Sequence, residues 1–272
     1  MKSIRIVFFC LVALVFAVSA VMVIPAQAAP VGVVLFVTPT GSSTTCTSWG
    51  DACGLQQALS VASPGNEVWV AAGTYKPTAG IDRNAAFAME SGVAIYGGFV
   101  GSETSRTERN WTTNVTTLSG EIGDPAFLSD NSFHVVLGDG VNSTAVLDGF
   151  TITKGYAKGS CTEEQCKGGG MLNRNTSSPT LTNITFTANG AESRGAGMAN
   201  MTGSNPALNH VLFQANKPSN GAGGMYNDSS NPVLNDVTFD NNDVSGYGGG
   251  MWNNASSPTL TDVTFSGSGV TL

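Results

Sequence analysis

Between Gly168 and the C-terminus, apolar and polar positions recur in a fixed order. Each of four copies carries a methionine (Met171, Met198, Met225, Met251) and a leucine (Leu181, Leu208, Leu234, Leu260). An Ile or Val (Ile184, Val211, Val237, Val263) and a phenylalanine (Phe186, Phe213, Phe239, Phe265) follow in each. The methionines are 27, 27 and 26 residues apart, and the phenylalanines 27, 26 and 26. A constant period in this range marks a stacked repeat. Gly runs and Ser-Pro or Asn-Pro steps interrupt every copy, which leaves no room for a helix. What remains is three short strand segments per copy: Gly-Met-x-Asn, Pro-x-Leu and Ile/Val-x-Phe. Three strands and tight turns in about 26 residues describe one coil of a parallel β-helix, an all-β fold. Each coil pairs with its neighbours at ~4.8 Å.

Alternation then sends Met, Leu, Ile/Val and Phe inward, each onto its copy in the next coil. Gly170, Gly197, Gly224 and Gly250 precede the methionines and are expected to provide φ > 0 or close backbone approach at a corner. Asn173, Asn200, Asn227 and Asn253, two places after each Met, read as a structural ladder of stacked amides.

Upstream the pattern changes. Residues 33–37 alternate as a strand. Leu55, Ala58, Leu59 and Ala62 fall at i, i+3, i+4 and i+7, a short amphipathic helix with Asp51 as its expected N-cap. A β-helix needs a lid over its apolar open end, so residues 29–65 are assigned as an N-terminal cap and 66–272 as the β-helix. Less regular coils begin at Val68-Trp69-Val70 and continue to 146–153. From Leu147 to Leu181 is 34 residues, a coil plus an excursion that holds Cys161 and Cys166. The polar segment 104–114 is expected to be another outward loop.

Residues 1–28 read as a secretory signal: Lys2 and Arg5, an apolar run, then Ala26-Gln27-Ala28 for cleavage. Cleavage removes two positive charges and no acid, taking the net charge from −7 to −9. No basic stretch remains to meet nucleic acid or an anionic membrane, and no transmembrane segment follows. In an exported chain Cys46 with Cys53, and Cys161 with Cys166, are expected as disulfides. A zinc site built from all four would have to join pairs about four coils apart, and neither spacing is C-x-x-C. Nothing in the sequence calls for a cofactor or metal.

Two sets of residues carry candidate chemistry. The position two after each repeat Leu reads Asn183, His210, Asp236, Asp262. Asp236 and Asp262 on adjacent coils would lie ~5 Å apart with His210 beside Asp236. That suits a polysaccharide hydrolase or lyase, which needs paired carboxylates or a base. The structural alternative is a corner: Asn, Asp and His are the non-glycine residues most often found at φ > 0. The corner is favoured, because no Lys or Arg lies near these residues in the repeats to neutralise a uronate. The second set is the residue after each Met, Leu172, Ala199, Tyr226 and Trp252, which alternation turns outward. Tyr226 and Trp252 are expected to be exposed neighbours able to bind a sugar or a partner surface.

The segments NEVWVAAGTYKPT, GVAIYGGFVGSETSRTERNW, LSGEIGD, DNSFHVV and AVLDGFTITKGYA resemble the opening of bacterial surface proteins with a right-handed parallel β-helix. The repeats resemble those of chlamydial polymorphic outer-membrane proteins, with Gly-Gly-Ala-aliphatic altered to Gly-Gly-Met or Ala-Gly-Met. The F-x-x-N motif is present as Phe186…Asn189, Phe213…Asn216 and Phe239…Asn242, with Ser268 in the fourth copy. The resemblance implies a pectin-lyase-like fold and a secreted or cell-surface, adhesin-like protein whose partner is a carbohydrate or a surface protein. No autotransporter barrel or sorting segment follows, and the last repeat stops short, so a fragment, or an open end that meets a partner, is expected. The function expected is non-enzymatic binding or scaffolding, with a polysaccharide lyase or glycoside hydrolase as the alternative.

Overall fold

The strand residues of each repeat pair with their own copies one coil away. Met171 lies beside Met198, Met225 beside Met198 and Met251, and the Leu and Phe columns follow the same register. The computed structural model describes residues 32–243 and 248–267; the expected signal at 1–28 lies outside them. All the pairings are parallel. The large sheet runs in the order Val34–Val37, Glu67–Ala71, Ala94–Phe99, Val146–Thr153, Thr180–Thr187, Ala207–Gln214, Val233–Asp240, Thr259–Ser266. Thr116–Ser119 pairs with the second half of Val146–Thr153. A second sheet stacks Phe87–Ala88, Val136–Asp139 and the four Met strands, and a third joins Tyr156–Ala157, Gly190–Ala191 and Lys217–Pro218. The fold is a parallel β-helix.

Pro-x-Leu and Ile/Val-x-Phe, expected as separate strands, form one eight-residue strand bent at a single residue. That residue is Asn183, His210, Asp236 or Asp262, with φ between 52° and 55°. The left-handed residue adds one step to the alternation, so Leu and the Ile/Val three places later both face inward. The corner reading of this column holds. The glycines before each Met serve close approach alone. A Cβ on Gly197 would sit 2.6 Å from the Gly224 carbonyl oxygen and 2.7 Å from Phe213 Cδ1. Positive φ falls instead on Gly168, Gly195, Gly221 and Gly248, three or four residues before the methionine.

Inside, Phe186, Phe213, Phe239 and Phe265 stack ring on ring at 4.8 Å, their planes within 7° of parallel. With the Met, Leu and Ile/Val columns they continue into Val68, Ile95 and Leu147 of the earlier coils as one core. A fully buried Leu or Phe is worth about 1.5–3 kcal/mol, so each coil is held chiefly by these columns. Amide ladders fix the corners. Asn173 Nδ2 donates to Asn200 Oδ1 at 2.8 Å, Asn200 to Asn227 at 2.8 Å and Asn227 to Asn253 at 2.7 Å. The F-x-x-N asparagines form a second ladder, Asn189 to Asn216 at 3.0 Å and Asn216 to Asn242 at 2.9 Å. Ser177, Ser204 and Ser230 are buried in a third, each backbone N–H donating to the next coil's serine hydroxyl.

At the N-terminal end the helix Leu55–Val61 buries Leu55 and Ala58 in the core. Its N-cap is Gly54, not Asp51. Asp51 ends a short 3-10 turn, Trp49–Asp51, and its carboxylate accepts from the hydroxyls of Thr45 and Thr47. Those hydroxyls, Thr45 foremost, hold its pKa at about 2. The chain therefore turns once more before the helix starts. Both disulfides are formed, Cys46–Cys53 and Cys161–Cys166. Among the described residues, no helix is long and apolar enough to cross a membrane.

Candidate functional site

Segment 104–114 leaves the coil as expected, but it folds back onto the large sheet. Ser105 and Glu108 close a capping box around the 3-10 turn Arg106–Glu108. Asn110 Oδ1 accepts the backbone N–H of Thr112 and Thr113, and Asn110 N–H donates to Gly98 O at 2.8 Å. Arg109 fastens the loop from above. Its guanidinium meets Asp148 Oδ2 at 2.6 Å and donates to Gly97 O at 3.0 Å. It also lies 4.9 Å from the Trp111 ring and 5.1 Å from Tyr96. Both charges are largely shielded from water, where losing one partner costs about 3–5 kcal/mol.

Two glycines make this docking possible. A Cβ on Gly98 would be 2.7 Å from Trp111 Cα, and one on Gly149 would be 2.7 Å from Arg109 Nη1 and 3.0 Å from Trp111 Cβ. Gly149 occupies the bend position that Asn183, His210, Asp236 and Asp262 fill in later coils. The loop can lie here because this coil alone among them has no side chain at the bend.

The docked loop walls an open groove of about 540 Å³ along the outside of the large sheet. Trp111, 39% exposed, forms the wall with Val115. Thr151, Thr185, Leu212 and Thr238, one residue per coil, form a straight row along the floor. The bend residues Asn183, His210 and Asp236 line it too. Asn183 Nδ2 donates to Asp148 Oδ1 at 2.8 Å, which ties Asp148 on both sides. His210 Nε2 and Asp236 Oδ2 are 3.0 Å apart, both well exposed. Asp262 shares the bend geometry one coil on but is not among the groove-lining residues. The structure thus joins His210 to Asp236 as expected and leaves the groove with one carboxylate not held by an arginine.

The Tyr226–Trp252 pair is placed differently from expectation. Tyr226 is fully buried and Trp252 half-buried, their rings edge-on at 5.6 Å. Met201 and Ala222 pack with Leu172, Ala199 and Tyr226, covering the outer face of the second sheet. The Arg194 guanidinium lies 3.9 Å from the Trp252 ring centroid and donates to Tyr226 Oη at 3.1 Å. Alternation did turn both rings outward, but the turns between sheets fold over them. Burial raises the Tyr226 hydroxyl pKa. His134 donates from Nδ1 to Gly168 O at 2.9 Å, and burial drives its pKa down to about 4.

A family model for a protein of unknown function, DUF1565, matches residues 52–269. The chain belongs to the DUF1565 family. The match spans the helix, the groove and all four regular repeats, so these are parts of one DUF1565 unit. A comparison with curated proteins finds no match. Among solved structures this DUF1565 chain is similar to a pectin methylesterase from Aspergillus niger, crystallised in a penultimately deglycosylated form. The identity is 14%, the coverage 89% of this chain and 88% of that one, and the TM-score 0.31. At that TM-score the likeness carries no argument about chemistry.

Sequence reasoning missed Trp111. The signal was there in part: the bend column runs Asn, His, Asp, Asp in the repeats but Gly at 149, a vacancy that needs an occupant. What fills it depends on a loop from about forty residues earlier.

Proposed function

We propose that the chain is a secreted or cell-surface β-helix module that binds an extended glycan in the Trp111 groove without turning it over. The observation that carries this reading is the groove itself: an exposed indole facing a straight row of small hydroxyl and aliphatic side chains. An indole face suits the apolar side of a sugar ring, and threonine hydroxyls can donate to and accept from ring hydroxyls. Repetition at one coil spacing gives an elongated site that fits a polymer better than a compact ligand. The two disulfides favour an oxidising compartment, which supports export. The resemblance of the repeats to chlamydial polymorphic outer-membrane proteins supports an adhesin-like role at a surface.

A second reading, a polysaccharide lyase or hydrolase, rests on the His210–Asp236 pair in the groove. Hydrolysis by paired carboxylates would need Asp262 to reach a substrate that the groove places over Asp236. One experiment separates the two. The purified mature chain is applied to a glycan array, and depolymerisation of any bound glycan is followed by reducing-end release. Binding lost in Trp111→Ala and kept in Asp236→Ala, with no release, supports the module. Release by wild type that disappears in Asp236→Ala establishes the enzyme. No retention of any glycan overturns the groove as a glycan site.

A further inference from the structure

Residues 120–133 form a second loop, whose two legs meet at a closed neck. Ser132 N–H donates to Gly120 O at 2.9 Å, and Gly120 N–H to Thr153 O at 2.9 Å. Asn131 Nδ2 donates to Lys154 O at 2.8 Å, and Tyr156 N–H to Ser132 O at 2.8 Å. Both legs are therefore pinned to the segment 153–156, with Glu121 and Asn131 on either side of Lys154. Asp130 closes the loop further in, its Oδ2 accepting Asp124 N–H at 2.7 Å.

Four side-chain oxygens of this loop are buried and, among the described residues, have no hydrogen-bond partner: Glu121 Oε1, Asp130 Oδ1, Asn131 Oδ1 and Ser132 Oγ. Glu121 is 6% exposed, and Asn131 and Ser132 are fully buried. An unsatisfied buried acceptor costs about 1–3 kcal/mol, and more when charged, so four within twelve residues call for an occupant. All four are oxygens, two of them on carboxylates, and of the four Ser132 Oγ alone also carries a proton to donate.

We propose that this neck is a binding site for a hard divalent cation, Ca²⁺, held by Glu121, Asp130, Asn131 and Ser132. Ca²⁺ takes six to eight oxygens from carboxylates, amides and carbonyls in flexible geometry, and water completes such a shell. Among the described residues, no three His, Cys, Asp or Glu side chains gather at one point. A donor set of two carboxylates and neutral oxygens therefore suits Ca²⁺ rather than a transition metal. Two cations already lie near. Arg83 is committed to the carbonyls of Asn131, Tyr156 and Lys158. Among the described residues Lys154 Nζ reaches only Glu121 Oε2, at 3.2 Å, with its side chain 43% exposed. Lys154 is thus the competitor, free to swing out when the ion enters. That competition places the affinity in the weak range of extracellular Ca²⁺ modules, Kd about 0.1–1 mM.

The test is calorimetric titration of the chelator-treated mature chain with CaCl₂, paired with timed chymotrypsin digestion. Phe127 and Leu128 are exposed at the loop tip and offer cleavage sites that report on its closure. Wild type is expected to bind one Ca²⁺ saturably, and Ca²⁺ to slow cleavage at the tip. Glu121→Gln and Asp130→Asn should each weaken binding at least about tenfold and remove the protection, while Asp262→Asn keeps both. Lys154→Met should tighten binding several-fold, a result no general loss of folding can mimic. No saturable heat up to about 10 mM Ca²⁺ would overturn the site, as would equal binding in the Glu121→Gln/Asp130→Asn double variant.

Discussion

Replacing Asn216 by Ala tests whether the amide ladders or the apolar columns fix the coils. The Asn216 side chain is fully buried and makes four hydrogen bonds. Its Nδ2 donates to Phe186 O and Asn242 Oδ1, each at 2.9 Å; its Oδ1 accepts Asn189 N–H at 3.1 Å and Asn189 Nδ2 at 3.0 Å. At a net ~1 kcal/mol each, their loss costs about 4 kcal/mol. The Asn189 N–H, left buried without another acceptor among the described residues, adds about 1–3 kcal/mol. The expected destabilisation is therefore about 5–7 kcal/mol, a large share of a typical domain's stability. Asn235 provides the control. It is the same residue type on the outer face of the large sheet, with one exposed bond to Asn209 at 2.7 Å, and Asn235→Ala should stay within about 0.5 kcal/mol. Guanidinium denaturation followed by circular dichroism gives the two midpoints. Repeat arrays can unfold in parts, so hydrogen exchange should localise the loss to the coils on either side of Asn216. An Asn216→Ala variant within about 1 kcal/mol of wild type would refute the reasoning, leaving the ladder a consequence of stacking rather than a cause.

Gly149→Asn, which copies the bend residue of the next coil, should lift the 104–114 loop. Trp111 emission then shifts and glycan retention falls while the far-UV spectrum stays unchanged; an unaltered Trp111 emission, taken as the difference from the Trp111→Phe variant, would show that the loop does not need the glycine. His134 sets an acid limit. Its folded pKa, about 4, lies below the unfolded value of 6.5. The unfolded chain therefore binds the extra proton first, and stability that is full above about pH 6.5 is lost progressively down to about pH 4, by up to roughly 3 kcal/mol. Denaturation midpoints from pH 7 to 4 should fall more steeply for wild type than for His134→Gln; parallel slopes would remove His134 as the cause. Phe213→Ala, cut from the middle of the ring stack, should cost about 3–5 kcal/mol and broaden the transition, and a loss below about 1 kcal/mol would show the column to be loosely packed.

The sequence by itself determined what repeats. A residue that returns every 26 or 27 positions must meet its own copy in a stacked fold, so the Met, Leu and Phe columns, the Asn173 ladder and the φ > 0 bend at Asn183, His210, Asp236 and Asp262 were all legible. The His210–Asp236 contact followed from the same rule, while the pairing of the close cysteines was expected from export. The start of the helix was not: Asp51 has an N-cap's chemistry, but three hydroxyl-bearing neighbours captured its carboxylate in an earlier turn.

Only the tertiary structure decided what lies over the coils. Alternation says that Tyr226 points out of its sheet, yet outward is not exposed once Met201, Ala222 and Arg194 fold across it. Trp111 reaches its groove, and Glu121 and Asn131 both reach Lys154, through loops whose lengths follow no period. Such contacts depend on where a non-repeating segment finds a vacancy, as at Gly149, and on which backbone groups it can satisfy there. Periodicity fixes the neighbours along the stack, because every coil obeys the same spacing; the loops that make a site are the parts that escape it.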